Sequence, residues 1–283
     1  MQLFIKDKKQ WRRYKEDFLY IIMMLFGVLM LVPLIWVFLT AFKTEPEISK
    51  IPITWLPNSF LNFDNFIQMF SEQPFGRYFF NSMTVAIISL VSSTAIAVLA
   101  GYAFAKIDFK FKEFFFILIL SVFMIPAEVM VLPKYLMMSQ IGWINSYLGL
   151  AFPDLFTAFG VYLFRQFMSG IPDTYIDAAR MDGASEIKIL LYVMLPLIKP
   201  ALAAFIIIKF MFSWNQFLWP LVIGQKQEMF TVTVGLVAFS GQWYNQWNLI
   251  AAATVLSIIP MLLVFILLQK HLVQGLVMSG TKG

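Results

Sequence analysis

The chain contains no cysteine and a single histidine, and only 13% of its 283 residues are charged. Without cysteine there is no disulfide, no thiolate nucleophile and no Cys-based metal site, and nothing that reports a redox compartment. His271 has none of the clustered partners that a metal site requires, and reads as a solvated residue just past an apolar run. No G-x-x-x-x-G-K-[ST] phosphate loop occurs, so nucleotide hydrolysis by that route is excluded. Paired acids, a nucleophile beside a base and a metal-ligand cluster are missing at any recognisable spacing, which leaves no enzyme chemistry legible in the chain. Internal repeats, low-complexity tracts and a separate soluble domain are absent as well.

What the chain has in abundance is apolar surface. Hydrophobic residues make up 60% of it and the mean hydropathy is +0.77, too apolar for an ordinary soluble fold. These residues are gathered into long runs, and a bilayer core about 30 Å thick requires about 20 of them per helix. Six runs qualify, at about 18–42, 81–105, 114–136, 147–167, 201–223 and 249–268. The expectation is an all-α polytopic membrane protein, with an N-terminal segment at 1–17, a transmembrane domain at 18–270 and a tail at 271–283. The first run exceeds the apolar core of a secretory signal peptide, about 7 to 15 residues, and reads as a retained span.

Six spans place both termini on one side of the membrane. With the N-terminus inside, fifteen of the 21 Lys+Arg residues are cytoplasmic, against five outside (Lys43, Lys50, Arg77, Lys134 and Lys226), with Lys209 inside a span. That bias sets the orientation, because basic flanks are retained in the cytoplasm. The net charge of +5 therefore reports topology, and nucleic acid is excluded as a partner: the basic residues flank spans and form no patch interleaved with aromatics. In the first outside loop, Phe63, Phe66, Ile67 and Phe70 share one face at helical spacing, which predicts a short helix lying in the headgroup region.

Charges inside a bilayer cost roughly 2.5 to 3.5 kcal/mol each on insertion scales, which makes Glu128, Asp154 and Lys209 informative. Lys209 lies about 12 Å from the inner face and Asp154 about 11 Å from the outer one, at about 1.5 Å rise per residue. The remaining gap of about 7 Å in a core of about 30 Å is within reach of a long Lys side chain, so the two are candidates to pair across spans four and five. The alternative is that Lys209 snorkels while Asp154 faces water in an outer vestibule, where Glu128 is also expected. Acids are missing from spans one, two, five and six, which argues against a proton-coupled carrier.

Between expected spans four and five lies YIDAARMDGASEIKILLYVMLPLIKP, residues 175–200, with six charged side chains. Pro172 and Asp173 suit a helix opening. Tyr175, Ala178, Ala179 and Asp182 follow along one side, and Ala178 and Ala179 are small enough to admit a partner surface. Gly183 then breaks the helix by offering φ > 0 without steric cost. Ser185 suits the N-cap of a second helix that runs to Pro196, and Pro200 opens span five. The product is a bent two-helix elbow on the inner side.

Asp177-Ala178-Ala179, three residues, Gly183, nine residues, Val193, one residue and Leu195-Pro196 closely resembles the EAA motif of bacterial ABC-importer permeases, with Asp for the usual Glu and Val for the usual Ile. The longer run Ala178 to Ser185, Trp214-Asn215, the outer stretch from Trp243 to Asn248 and Gly275-Leu276 near the end are similar to carbohydrate-type permeases such as the second permease of maltose systems. The resemblance implies a non-enzymatic subunit of the prokaryotic cytoplasmic membrane. It works with a second permease subunit, two ATP-binding subunits, an extracytoplasmic substrate-binding protein and membrane lipid. No cofactor is bound directly, since ATP-Mg belongs to the partners. It also implies that Asp177, Ala178, Ala179, Arg180, Asp182 and Gly183 form a coupling helix that docks into an ATPase cleft and transmits ATP-driven closure as a rigid-body switch between inward and outward opening.

For the translocation pathway the candidates are Trp214, Asn215, Gln216, Asp154 and Lys209, since aromatic faces and amides recognise sugars; a membrane-boundary belt is the competing role for the tryptophans. With Lys209 as the sole cation away from the ends of the spans, a neutral sugar or oligosaccharide fits better than a strongly anionic substrate, although glycerol-phosphate importers share the permease type. A self-sufficient channel or secondary carrier is the other class, and it predicts transport independent of ATP.

Overall fold

The computed structural model describes residues 2–237, 239–240 and 245–280, with side chains described from residue 14 to residue 270 of those ranges. Trp243 and Lys282 lie outside the described residues, as do the side chains of His271 and Leu276 and the surroundings of Gly275. Among the described residues there are helices and one isolated bridge, Ser240 to Asn245, and no strand. That suits a bilayer, where each helix satisfies its own backbone polar groups.

Three helices are long and apolar enough to cross a membrane: α1 (Gln2–Thr40) through Tyr14–Thr40, α4 (Phe75–Lys106), and α15 (Trp247–Gly280) through Trp247–Lys270. Two bent pairs raise the number to as many as five. One joins Tyr147–Asp154 to Ala158–Ser169 at 48°, the other Glu186–Leu197 to Lys199–Trp214 at 83°.

Three of the expected spans are not continuous helices: 147–167 is the first bent pair, and 114–136 and 201–223 are also interrupted. Over 114–136, α5 (Lys112–Ser121) tightens into a 3₁₀ turn at Val122–Met124, then Ile125 becomes extended (φ −97, ψ 116) before the chain resumes as α6 (Val131–Gln140). The cause is Pro126, whose ring disfavours the helical conformation at the residue before it. Glu128 sits exposed in this break. Over 201–223, α12 (Lys199–Trp214) ends at Asn215, and α13 (Leu218–Ile223) follows after a short gap.

Two compact units emerge. The first comprises Met1–Glu72 with Phe239–Leu256, and contains α1, α2 (Glu45–Ile48), α3 (Asp64–Glu72) and the opening of α15. Phe42 is its aromatic hub, with Phe38, Phe63 and Phe66 at 5.3, 5.7 and 5.5 Å between ring centroids. Lys43 is buried, with its ammonium bonded to the Thr54 carbonyl and 4.4 Å from the centre of the Trp36 ring. Burial lowers its pKa. The predicted helix at Phe63–Phe70 is present as α3, but its apolar face divides: Phe66 turns to Phe42 while Ile67 and Phe70 stay exposed. Most of the large apolar side chains of α1 from Tyr14 to Phe38 are exposed, a surface that lipid or a neighbouring helix must cover.

The second unit is Gln73–Ala238 with Ser257–Gly283. Its core lies between α4, α8 (Ala158–Ser169) and α12, around Phe164, Met168, Met194 and Phe205. Two glycines set the spacing of these helices. A Cβ on Gly101 would come within 2.6 Å of the Phe164 Cβ, and one on Gly160 within 2.7 Å of Ala97 and Phe205. Small residues of this kind permit close helix packing in a membrane, where there is no hydrophobic drive between helices.

Candidate functional site

The segment that the sequence reads as an elbow is one in the structure. α9 (Thr174–Met181) ends at Asp182, Gly183 takes φ +79, and Ser185 (φ −72, ψ 158) opens α10 (Glu186–Ile189). Gly183 is needed because the left-handed conformation costs any other L-residue about 1–2 kcal/mol. The chain continues through a π-helical turn, Leu190–Met194, into α11 (Leu195–Leu197). Leu195 donates its N–H to the Leu190 carbonyl, five residues back. The wider turn immediately precedes Pro196, which has no N–H to offer and whose ring would crowd the carbonyl four residues earlier.

The elbow is pinned at its base and open at its tip. Lys106, in the last turn of α4, donates to the Ile171 carbonyl at 2.6 Å and pairs with Asp173 at 2.5 Å, holding the Asp173 carboxyl below the usual carboxylate range. Tyr102, one turn earlier, donates to Glu186 at 2.6 Å. Arg180 reaches the same carboxylate at 2.9 Å, which raises the Arg180 pKa, and stands 3.7 Å from Asp177. Ile176 and Ile189 are buried, and Ala179 is half-buried against the core; Ala178, Asp177, Asp182 and Gly183 are exposed. Tyr175, Met181 and Ile187 are exposed too, Met181 at 88%. The side that the sequence assigns to Tyr175, Ala178, Ala179 and Asp182 thus loses Ala179 inward and gains Met181.

A cavity of about 910 Å³ opens between the broken stretch from Val122 to Lys134, the turn that leads into α8, and α12. Phe123, Phe156, Phe159, Phe205 and Phe212 supply apolar walls, and Asp154, Lys209, Gln216, Thr157 and Lys134 supply polar groups. Lys209 is 7% exposed, and its ammonium donates to Asp154 Oδ1 at 2.7 Å. Gln216 Nε2 donates to Asp154 Oδ2 at 2.7 Å. Both carboxylate oxygens are therefore taken by protein donors. The pairing reading of Lys209 and Asp154 is the one the structure adopts. Breaks in the helices make it possible: Asp154 sits in a 3₁₀ turn between α7 (Tyr147–Ala151) and α8, and Gln216 in the gap after α12.

Trp214 and Asn215 stand apart from the cavity. Trp214 is 2% exposed, donates its indole N–H to the Ser257 carbonyl at 3.1 Å and stacks on Phe210 with ring centroids 5.6 Å apart. Asn215 is exposed, because the helix ends there. Of the outer stretch, Trp247 is exposed and Asn248 is buried, donating to Asn65 at 2.9 Å. Sequence reasoning missed Tyr102 and Lys106, whose partners lie 84 and 67 residues away, and the phenylalanine walls, which look like any other apolar residue in a span.

Residues 93–277 match the family described as "Binding-protein-dependent transport system inner membrane component". The arabinooligosaccharides transport system permease protein AraQ of Halalkalibacterium halodurans is 37% identical over 253 residues, covering 89% of this chain and 91% of that protein. The sn-glycerol-3-phosphate transport system permease protein UgpE of Yersinia enterocolitica is 33% identical over 277 residues, covering 95% and 98%. A chain of a bacterial ABC transporter involved in the import of the acidic polysaccharide alginate superposes with a TM-score of 0.80 at 24% identity, covering 91% of this chain and 96% of that one, which shows the fold.

Proposed function

This chain belongs to the family of binding-protein-dependent transport system inner membrane components, and from that premise we propose that it is a permease subunit of an ATP-driven importer of sugars or oligosaccharides. The observation that carries the reading is the elbow: a short helix with an exposed small-residue and methionine tip, fixed by Gly183 and braced on α4 by Lys106 and Tyr102. Such a part transmits force, since a push on its tip is delivered to the core helices α4, α8 and α12 instead of being lost in a flexible loop.

In this reading the chain crosses the membrane six times with both termini in the cytoplasm, and α5 and α6 are two halves of one broken span. Asp177, Ala178, Arg180, Asp182 and Gly183 contact a cytoplasmic ATP-binding subunit, with Ala179 and Ile176 seating the helix from behind. A second permease subunit completes the pathway, lipid and that partner cover α1, and an extracytoplasmic binding protein delivers the substrate. ATP-Mg is held and hydrolysed by the partner subunits. The cavity around Asp154, Lys209 and Gln216 lies on the substrate pathway: its phenylalanine walls suit the faces of sugar rings, and its amide and hydroxyl groups suit their hydroxyls.

A glycerol phosphate substrate is the second reading, favoured by the likeness to UgpE and by the two lysines in the cavity lining. Uptake measured in cells that carry the complete importer separates the two. Saturable ATP-dependent accumulation of arabinotriose supports the sugar reading, and accumulation of sn-glycerol 3-phosphate alone refutes it. Purification of the tagged chain without any ATP-binding subunit would count against the importer reading itself.

A further inference from the structure

Resting on the sugar-import reading, we infer that Asp154 is a specificity-determining residue: by neutralising Lys209 inside the cavity it reserves that site for uncharged, polyhydroxylated substrates and rejects anionic ones. An isolated buried ammonium is costly to desolvate and would be repaid by any carboxylate or phosphate entering the cavity. Asp154 supplies that counter-charge from within the chain. Its Oδ1 is 2.7 Å from the Lys209 ammonium, and Gln216 fixes Oδ2 at the same distance, so the carboxylate is held toward Lys209 from both sides. An anionic ligand must compete with a pre-paired carboxylate, whereas a hydroxyl ligand need only use the N–H groups that Lys209 and Gln216 have left over.

The remaining cation in the lining, Lys134, is half-exposed on α6, where solvent and salt screen it. Lys209 is the buried one, so its neutralisation decides what charge the interior presents. The walls around the pair are phenylalanine, and in such a setting a net charge is felt more strongly than in water.

The test is retention of labelled arabinotriose, trigalacturonate and sn-glycerol 3-phosphate by the purified complete importer in nanodiscs, without binding protein, so that the receptor's own selectivity does not intervene. The wild type should retain arabinotriose in preference to both anions. Asp154→Asn should move the trigalacturonate-to-arabinotriose ratio at least tenfold toward the anion. The double variant Asp154→Asn with Lys209→Met, which restores neutrality with different groups, should return the ratio to the wild-type value. Assembly with the ATP-binding subunits reports that each variant is folded. A ratio that stays constant through all variants overturns the proposal and makes the ion pair a packing device. Wild-type preference for trigalacturonate also overturns it, while leaving sugar import standing; preference for sn-glycerol 3-phosphate overturns both. Retention of none of the three removes the cavity from the substrate pathway, and the proposal with it, while cellular uptake still decides the sugar reading.

Discussion

The elbow and the cavity use charge in opposite ways. At the elbow, Asp173, Arg180 and Asp177 sit at the surface, so that even the shielded Lys106 pairs with a carboxylate that water reaches. In the cavity, Lys209 and Asp154 are largely withdrawn from solvent and are satisfied by each other and by Gln216. Surface pairs of the first kind contribute little stability, because water and salt screen them. Buried pairs of the second kind add little stability while intact, because desolvation offsets their attraction, and cost a great deal when one partner is removed. On the proposed function, the elbow orients a contact surface and the cavity holds a fixed, neutral interior. Damage at the two places should look different: loss of stability in the cavity, loss of coupling at the elbow.

The largest expected effect is at the cavity. Asp154→Ala leaves the buried Lys209 ammonium unpaired and should destabilise the protein by about 3–5 kcal/mol, read as a lowered thermal unfolding midpoint in detergent. Lys209→Met in the same chain should recover most of that loss. No recovery would mean that Asp154 is required for a reason other than its partner's charge. Next comes the helix packing that carries both regions. Gly101→Val drives a side chain into Phe164 and should cost about 1–3 kcal/mol, with reduced yield of folded protein in the membrane; a neutral result would contradict the close approach of α4 and α8.

Smaller stability effects with larger functional ones are expected at the elbow. Gly183→Val should cost about 1–2 kcal/mol for the left-handed conformation yet abolish uptake, with membrane insertion unchanged on a Western blot. Uptake at the wild-type rate would break the contrast between the two regions. Tyr102→Phe removes a hydrogen bond to a charged acceptor and should cost about 1–2 kcal/mol, with a several-fold fall in the coupling of ATP hydrolysis to transport. Asp177→Asn is the mildest: no measurable change in unfolding midpoint and a reduced uptake rate. A stability loss there would show that Asp177 is structural.

How much of this was legible in the sequence follows the same division. The elbow was readable because its determinants are local: Pro172, Gly183 and Ser185 act on the backbone within a few residues, and the structure places the bend where they predict. The long helices α1, α4 and α15 were readable because hydropathy needs no partner. The break inside the run at 114–136 was not legible, because averaging over apolar residues hides Pro126, and a single extended residue before it ends the helix. The cavity was only half readable. The depths of Asp154 and Lys209 suggested a pair, but Gln216 joins them where α12 has stopped at Trp214, which the hydropathy of the run does not reveal. Contacts made by Tyr102 and Lys106 depend on how α4 packs against the rest of the unit, which no local pattern encodes.

The absence of native cysteine makes the decisive measurement clean. Met181, 88% exposed at the tip of the elbow, can be replaced with the chain's only thiol, Met181→Cys, in the assembled importer carrying a cysteine scan of the ATP-binding subunit's surface. The account predicts a disulfide cross-link between that thiol and one ATP-binding subunit, protected from maleimide in the complex and reactive in the isolated chain. Equal maleimide reactivity in both, with no cross-link to any ATP-binding subunit, would contradict it.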